Sequence, residues 1–341
     1  AADILMPAGK RTLSQWMKFA NSLRLRLAIR VSMSAPDLAR AEVAKAMDAT
    51  AGGVLESADE TVAVSTESGY KNPLGTVNEG WGEVFMGATM ESVLVGYNDP
   101  RLIKYYSKAE GGDIKDEKGN LIIAERNKIA GTYKGVPQGT GVTVKDENRY
   151  RLHSKSTITK QTDAILMTAA EVWFLRAEAA LRGFTSENVK DCYEKGITVS
   201  CQQWGVNVGD YLTSDATPSD YVDAFEAKYD VKALIKVTPK WDGGASPEEQ
   251  LERILTQKWI ACYPEGYEAW TEQRRTGYPQ LFKVFVNNSG GAIDTNIRIR
   301  RLPYPSDIQK NNPTQYSALK KALGGEDNGG TRLWWDTGRN F

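Results

Sequence analysis

The sequence predicts a mainly α-helical fold built from tetratricopeptide-like helix pairs, with long loop-rich insertions that contain short strands. Apolar residues recur every three or four positions in six segments, and these segments occur in pairs joined by short turns. Long stretches rich in Gly, Pro and Asn separate the pairs. At 341 residues, 41% of them hydrophobic, the chain can bury a core without disulfide or metal staples. We expect one domain, residues 1–341.

The first helix pair is predicted over residues 13–51. Its first helix, 13–31, carries an apolar stripe that we expect to face the core: Leu13, Trp16, Ala20, Leu23, Leu27 and Val31. Pro36 suits the first turn of a second helix, 37–49, and the Gly52-Gly53 pair ends it.

The second pair is predicted over residues 165–203. The helix 165–182 is rich in alanine, which favours helix and close packing of neighbouring helices, and Gly183 ends it. Ser186 is the predicted N-cap of the next helix, 187–200.

The third pair, residues 246–276, begins with the best helix-start signal in the chain. Ser246 is an N-cap, Pro247 suits the first helical position and Glu249 completes a capping box. Pro264 and Gly266 break this helix, and a short second helix, 267–275, ends at Gly277.

Two long insertions, residues 52–164 and 277–341, interrupt or follow the helix pairs. The first contains a predicted helix, 81–95, and a hairpin turn at Lys118-Gly119-Asn120, which we prefer to a calcium loop because the acidic spacing is wrong. The second contains the alternating run Ile297-Arg298-Ile299-Arg300, which is typical of a strand. Insertions on a rigid scaffold commonly carry function.

Charge and motif content exclude several function classes. Lys+Arg and Asp+Glu both number 43, so no net field attracts nucleic acid. No apolar run approaches the roughly 20 residues of a membrane-spanning helix. Phosphate-loop, dinucleotide-binding and nucleophile-elbow motifs are absent, and we predict no catalytic residue, cofactor or metal.

Several polar and thiol groups receive structural interpretations. The three cysteines are expected to be small buried hydrophobes, and the single histidine, His153, a surface or hydrogen-bonded structural residue. Arg274 and Arg275 are expected to pair with carboxylates inside the fold. Another basic cluster is expected to lie on a solvated strand face, and it comprises Arg298, Arg300 and Arg301.

Aromatic residues are the positive signal for binding. Trp16, Trp173 and Trp259 fall on apolar helix stripes and are predicted to be core. In the first insertion, by contrast, aromatic residues stand beside Asn, Asp, Arg and Gly, and their rings suit stacking on sugar C–H faces or peptide side chains. For any one of them a core position remains the commoner outcome, but together they predict a ligand-binding surface that comprises Trp81, Tyr70, Tyr97, Tyr105 and Tyr133.

Five stretches resemble the SusD/RagB family, and specifically its SusD-like branch of bacterial surface lipoproteins. In chain order they are WMKFANSLRLRLAIR from Trp16, NDPRL from Asn98, AAEVWFLRAEAALRG from Ala169, QKWIACYPEGYEAWTEQRRTGYP from Gln257 and RLPYP from Arg301. These motifs span nearly the whole chain and belong to the scaffold, where Trp259, Trp270, Arg274 and Arg275 are expected to hold helix pairs together.

The resemblance implies a binding protein without enzymatic activity on the outer face of the outer membrane. Such a protein is tethered by an N-terminal lipid and acts as a lid for a SusC-type TonB-dependent transporter. It captures an oligosaccharide or, in some relatives, an oligopeptide. Family members are longer, so we expect this chain to be the larger C-terminal part, without the lipid anchor and with only part of the ligand site.

Three functions therefore remain open from the sequence. The first is a lid that captures glycans, and the second is the same lid with an oligopeptide ligand, for which Asn287 to Gly291 offers polar edges. The third and least favoured is a glycan hydrolase, because accidental carboxylate pairs are numerous but none is marked.

Overall fold

The computed structural model describes residues 3–6, 9–116, 118–123, 129–142 and 148–341. This part of the chain holds eleven α-helices and four short strands. The helices are α1 (Leu13–Arg30), α2 (Pro36–Ala46), α3 (Pro73–Thr76), α4 (Ala88–Gly96), α5 (Leu102–Tyr105), α6 (Ala169–Leu181), α7 (Val189–Gln203), α8 (Pro247–Ala261), α9 (Gly266–Thr276), α10 (Ser306–Asn311) and α11 (Pro313–Leu323). The strands are β1 (Val62–Val64), β2 (Ile114–Lys115), β3 (Leu121–Ile123) and β4 (Ala164–Met167). The predicted mainly helical class is confirmed.

The three predicted helix pairs form the scaffold. α1 packs on α2, α6 on α7 and α8 on α9, while α6 also contacts α1 and α8 and so lies at the centre. Alanines on α6, including Ala170 and Ala177, are fully buried and allow this close approach. The three cysteines are buried and free. Among the described helices, none is both long enough and apolar enough to cross a lipid bilayer.

Helix ends agree with the sequence where side chains cap them and differ where they do not. At α8 the Ser246 hydroxyl accepts from the Glu249 N–H, and the Glu249 carboxylate accepts in return from the Ser246 N–H. Helix α6 starts at Ala169, not at residue 165, because Ile165 lies in β4, which pairs antiparallel with β1. Asn188, not Ser186, caps α7.

The predicted core stripe of α1 is wrong. Leu13 is 78% exposed, Leu27 is 54% exposed and Trp16 is also exposed. The buried face instead carries the apolar Leu25, Ala28 and Ile29. The polar Asn21 and Ser22 are buried beside them, because the backbone of residues 51–55 bonds to their side chains. Asn21 donates to two carbonyls of this segment, and the Ser22 hydroxyl accepts from the Leu55 N–H. Polar side chains can therefore lie on a buried face when backbone groups satisfy them.

Buried charges tie the helix pairs together. Lys258 of α8, 2% exposed, lies 3.2 Å from Glu268 and 3.3 Å from Glu272 of α9. Arg275 of α9 contacts Glu178 of α6 at 2.7 Å and Glu272 at 2.5 Å. Further ion pairs reach α1 and the end of α6, and they are Arg26 with Glu171, Arg30 with Glu268, and Arg182 with Glu178. The expected carboxylate pairing of Arg275 is confirmed. That of Arg274 is wrong among the described residues, because its guanidinium donates to the Arg300 carbonyl and the Thr271 hydroxyl instead.

The first insertion is more irregular than predicted. Trp81 lies at the end of a short π-type turn over Val77–Trp81, and the helix starts only at Ala88 because the residues between form isolated bridges to other segments. The hairpin turn is confirmed, since β2 and β3 pair antiparallel and both carboxylate oxygens of Asp116 accept from residues of the turn.

The second insertion contains no strand at the predicted run. Arg298 has φ of 63°, in the left-handed region, which breaks an extended chain there. Arg300 and Arg301 are 4% and 5% exposed, so the expected solvated face is wrong. They are buried because Asp336 and Asp327 neutralise them at 2.6 and 2.5 Å.

Candidate functional site

Trp81 is the one strongly exposed member of the predicted binding surface. Its indole is 58% exposed, and Gly82 in the left-handed conformation ends the turn that presents it. The turn is fixed from below by Asn78, whose amide donates to the carbonyls of Ser156 and Ile158. Tyr70 lies three residues before the start of α3 and is half-buried. The binding role of both remains a prediction.

Tyr97 and Tyr105 are core residues, which corrects the expectation that they present a surface. Tyr97 is 1% exposed and its hydroxyl donates to the Val237 carbonyl at 2.6 Å. Tyr105 is fully buried, donates to the Ile260 carbonyl and stacks on Tyr263 with ring centroids 4.3 Å apart. Their polar ends are satisfied by backbone, so these rings bury at little cost and are not accessible to a ligand.

Tyr133 is half-buried and lines a separate open groove beside Ile103 and Asn98. Trp81 and Tyr70 do not contribute to that groove. The structure therefore does not gather the five predicted residues into one site.

Two cavities share Trp270 and Gly266 as lining residues and so meet at the start of α9. One has a volume of about 570 Å³ and is lined mainly by α9 and the second insertion. The other, about 550 Å³, lies where the start of α9 meets Asn72 of the first insertion and Ile165 of β4. Both volumes fall within the range of small-molecule sites.

Helix α9 positions Trp270 between these cavities. Glu265 caps the helix by accepting from the Tyr267 and Glu268 N–H groups, and Gly277 ends it in the left-handed conformation. The Trp270 indole N–H donates to the Ile299 carbonyl at 3.1 Å, which fixes the ring. The Arg274 guanidinium stacks on the same ring, 3.6 Å from its centroid. The ring is therefore a rigid wall that needs no reordering to bind.

Unpartnered polar groups line the 570 Å³ cavity beside apolar side chains. Gln273 is 9% exposed, and its carboxamide makes no hydrogen bond within the described part of the chain. The Trp259 indole N–H likewise has no partner among the described residues. Leu281 and Val284 form an apolar part of the cavity wall. One ring wall, one free amide and one free N–H are suited to a ligand with both C–H faces and hydroxyl or amide groups.

Sequence reasoning missed this region because it assigned Trp259 and Trp270 to the scaffold. Trp259 is in fact half-buried, as are Trp270 and Trp173, so none of the three is fully core. The available signal was the clustering of Trp259, Tyr267 and Trp270 around the Pro264–Gly266 break, which opens the packing between α8 and α9.

His153 does not offer catalytic chemistry in this structure. It is 1% exposed, packs against Tyr150 and Phe225, and neither ring nitrogen has a hydrogen-bond partner among the described residues. Burial and the neighbouring Lys134 lower its pKa to about 3, so the ring is neutral at physiological pH. The expectation of a surface or hydrogen-bonded histidine is wrong. In the described ranges, no group of three or more His, Cys, Asp or Glu side chains has metal-binding geometry.

Comparisons with known proteins agree with this architecture. The family model of the Susd and RagB outer membrane lipoproteins, called SusD-like, matches residues 8–336. No curated protein matches significantly.

Solved structures of SusD homologues are similar over nearly the whole chain. A homologue from Bacteroides vulgatus is 52% identical, with a TM-score of 0.88 over 98% of this chain and 65% of its own. A chitin-binding homologue from Flavobacterium johnsoniae is 36% identical, with a TM-score of 0.88 over 99% of this chain and 66% of its own. One from Bacteroides thetaiotaomicron is 34% identical, with a TM-score of 0.84 over 96% of this chain and 67% of its own. The chain thus spans about two thirds of the length of these relatives.

Proposed function

The chain belongs to the SusD/RagB family of outer-membrane lipoproteins, and from this premise we propose that it captures oligosaccharides beside Trp270. We further propose that it delivers them, as a lid, to a SusC-type TonB-dependent transporter. The observation that carries the proposal is the pair of cavities that share the fixed Trp270 ring.

The chemistry of these cavities favours a sugar. A pyranose ring presents C–H groups to an aromatic face and hydroxyl groups at its edge, so it needs a ring wall next to free donors and acceptors. Trp270 supplies the wall, and Gln273 with Trp259 supplies the polar groups. That a relative of 36% identity is described as chitin-binding supports a glycan ligand.

The proposed role is binding without catalysis. Members of this family are non-catalytic binding proteins, and the one histidine is buried, neutral and lines neither cavity. A hydrolase would release new reducing ends from polysaccharide incubated with the purified protein. We expect none.

The transporter partner and the surface location rest on family membership. A stack of helix pairs presents an extended surface for docking a large protein, which suits the lid role. We expect the protein to be lipid-anchored on the outer face of the outer membrane and to copurify with a large β-barrel transporter.

The oligopeptide alternative loses part of its support in this structure. It relied on polar edges at Asn287 to Gly291, but the Asn287 amide already donates to the Ile293 carbonyl and the Thr295 hydroxyl. Its carbonyl oxygen accepts from the Ser289 N–H. The Asn287 carboxamide is therefore committed within its own loop and is not free to bond a peptide backbone.

Titration calorimetry with an oligosaccharide panel that includes chito-oligosaccharides tests the proposal. We expect Trp270→Ala to weaken binding of the preferred glycan about tenfold or more, because the stacking wall is lost. Trp334→Ala is the matched control, since Trp334 is 68% exposed and lines neither cavity. Equal affinities for both variants, or peptides as the ligands recovered from the native transporter complex, would contradict the proposal.

A further inference from the structure

A third cavity, about 300 Å³, adjoins the 570 Å³ cavity and shares Gln273, Leu281 and Arg298 with it. Five arginines line this third cavity, and no Asp or Glu does. The five are Arg274, Arg275, Arg298, Arg300 and Arg332. We call this third cavity the arginine pocket.

Three of these arginines have carboxylate partners behind the wall. Arg275 is neutralised by Glu178 and Glu272. Arg300 and Arg332 share the single carboxylate of Asp336, at 2.6 and 2.5 Å. One negative charge therefore serves two positive ones at this point, which leaves the local charge positive.

The other two arginines have no carboxylate within ion-pair distance among the described residues. Arg274 is 7% exposed, and its Nε–H has no hydrogen-bond partner there. Burial and repulsion from Arg300 and Arg30 lower its pKa to about 10, so it stays charged at neutral pH. Arg298 donates to the Leu281 and Phe282 carbonyls and to Gln138, which are all uncharged.

An uncompensated buried guanidinium costs free energy, and several together repel one another. An anion in the pocket would offset that cost. Guanidinium groups bind carboxylate and sulfate through paired N–H donors, and these charge-assisted hydrogen bonds are about twice as strong as neutral ones. The pocket volume lies at the lower end of the range for small-molecule sites.

We propose that the arginine pocket binds the carboxylate or sulfate group of an acidic sugar, held by Arg298, Arg332 and Arg274. This inference rests on the proposed function, because the sugar continues into the adjoining cavity beside Trp270. It narrows the ligand class to glycans that carry a negative charge.

Calorimetric titration at low ionic strength with D-glucuronate, inorganic sulfate and D-glucose tests the site. We expect saturable binding of glucuronate and sulfate, no binding of glucose, and weakening as salt is added. Arg298→Gln and Arg332→Gln should each weaken glucuronate binding about tenfold, since each removes a charge-assisted contact. Arg332 is partly exposed, so its replacement leaves the fold intact. Arg339→Gln is the control, because Arg339 is exposed and does not line the pocket.

The two anions distinguish the sources of charge. Tighter binding of glucuronate than of sulfate supports a sugar acid, and the reverse supports a sulfated sugar. Glucuronate bound no better than glucose, or equal affinities for Arg332→Gln and Arg339→Gln, would overturn the site. Neutral oligosaccharide binding that still depends on Trp270 would then leave the proposed function standing.

Discussion

Arg274 and Arg275 are neighbours on α9, and both are more than nine-tenths buried, yet their surroundings are opposite. Arg275 points to the scaffold, where Glu178 and Glu272 hold it at 2.7 and 2.5 Å. Arg274 has no carboxylate partner in the described chain and stacks between Trp270 and Trp335, at 3.6 and 5.0 Å from the ring centroids.

This difference distinguishes a charge that stabilises the scaffold, Arg275, from a charge that we propose binds a ligand, Arg274, on one helix. Paired charges in the interior hold the helix pairs in register but have nothing left to offer a ligand. Arginines without carboxylates retain positive charge and, at Arg274, a free donor, at the wall of a cavity. Within residues 272–275, Glu272 and Arg275 therefore stabilise the scaffold, while Arg274 lines the proposed site.

Removing a carboxylate partner of Arg275 should have the largest effect on stability. Glu272→Ala leaves Arg275 and Lys258 short of a carboxylate in the interior. We expect the free energy of unfolding to fall by about 3–5 kcal/mol, measured by urea denaturation. Glu326→Ala removes an exposed partner of Lys320 and serves as the control, with an expected loss of less than about 1 kcal/mol. Similar losses for the two variants would contradict the structural role of the pair.

Protonation of the buried carboxylates at low pH should have the next largest effect on stability. Neighbouring cations hold the pKa values of Glu178, Glu268 and Glu272 below the usual value of 4.5, despite burial, which acts in the opposite direction. Because the folded-state pKa values are lowered, their contribution is complete above about pH 4.5 and is lost as pH falls through the folded-state values.

The slope of stability against pH measures this contribution. Glu272→Gln takes up one proton fewer on unfolding, so below pH 4.5 its slope should be shallower than that of the wild type by up to about 1.4 kcal/mol per pH unit. Urea denaturation of the wild type and of Glu272→Gln, at steps of about one pH unit between pH 3 and pH 7, provides the two slopes. Parallel slopes would show that Glu272 has an ordinary pKa.

Replacing Arg274, which has no carboxylate partner in the described chain, should reduce stability less than Glu272→Ala does. Arg274→Gln loses the hydrogen bond to the Arg300 carbonyl and the contact with Trp270, but it also relieves repulsion from Arg300. We expect a net loss of about 1 kcal/mol in the same denaturation assay. A loss as large as that of Glu272→Ala would remove the distinction between the two arginines.

Trp81→Ala should have the smallest effect. Trp81 is exposed but lines neither cavity beside Trp270, so it can contact only an outlying part of a bound chain. We expect affinity for the preferred glycan to fall about two- to fivefold in calorimetry, less than for Trp270→Ala. A loss larger than that of Trp270→Ala would move the main site to the first insertion.

Sequence patterns predicted the scaffold well where the signal is local. The capping box at Ser246 and the break at Gly277 depend on neighbouring residues, and both were correctly placed. The burial of Asn21 and Ser22 on α1 depends instead on a segment about thirty residues away, whose backbone satisfies them. Periodicity carries no information about such a partner.

The site was harder to predict because burial in the folded chain decides which aromatic residues a ligand can reach. Tyr97 and Trp81 stand in equally polar sequence surroundings, but one bonds to the Val237 carbonyl in the core and the other projects from a turn. For the two arginines, helix spacing places Glu272 three residues before Arg275 and favours that ion pair, but it does not identify the second partner of Arg275. Their roles differ because Glu178, nearly one hundred residues away, lies against only one of them.

The most direct test of the account is a crystal structure of this chain grown with oligogalacturonate, a chain of acidic sugars. We expect a sugar carboxylate within hydrogen-bond distance of Arg298 or Arg332 and the next sugar ring against Trp270. Sugar bound on another face of the molecule, with the arginine pocket and both cavities beside Trp270 empty, would contradict it.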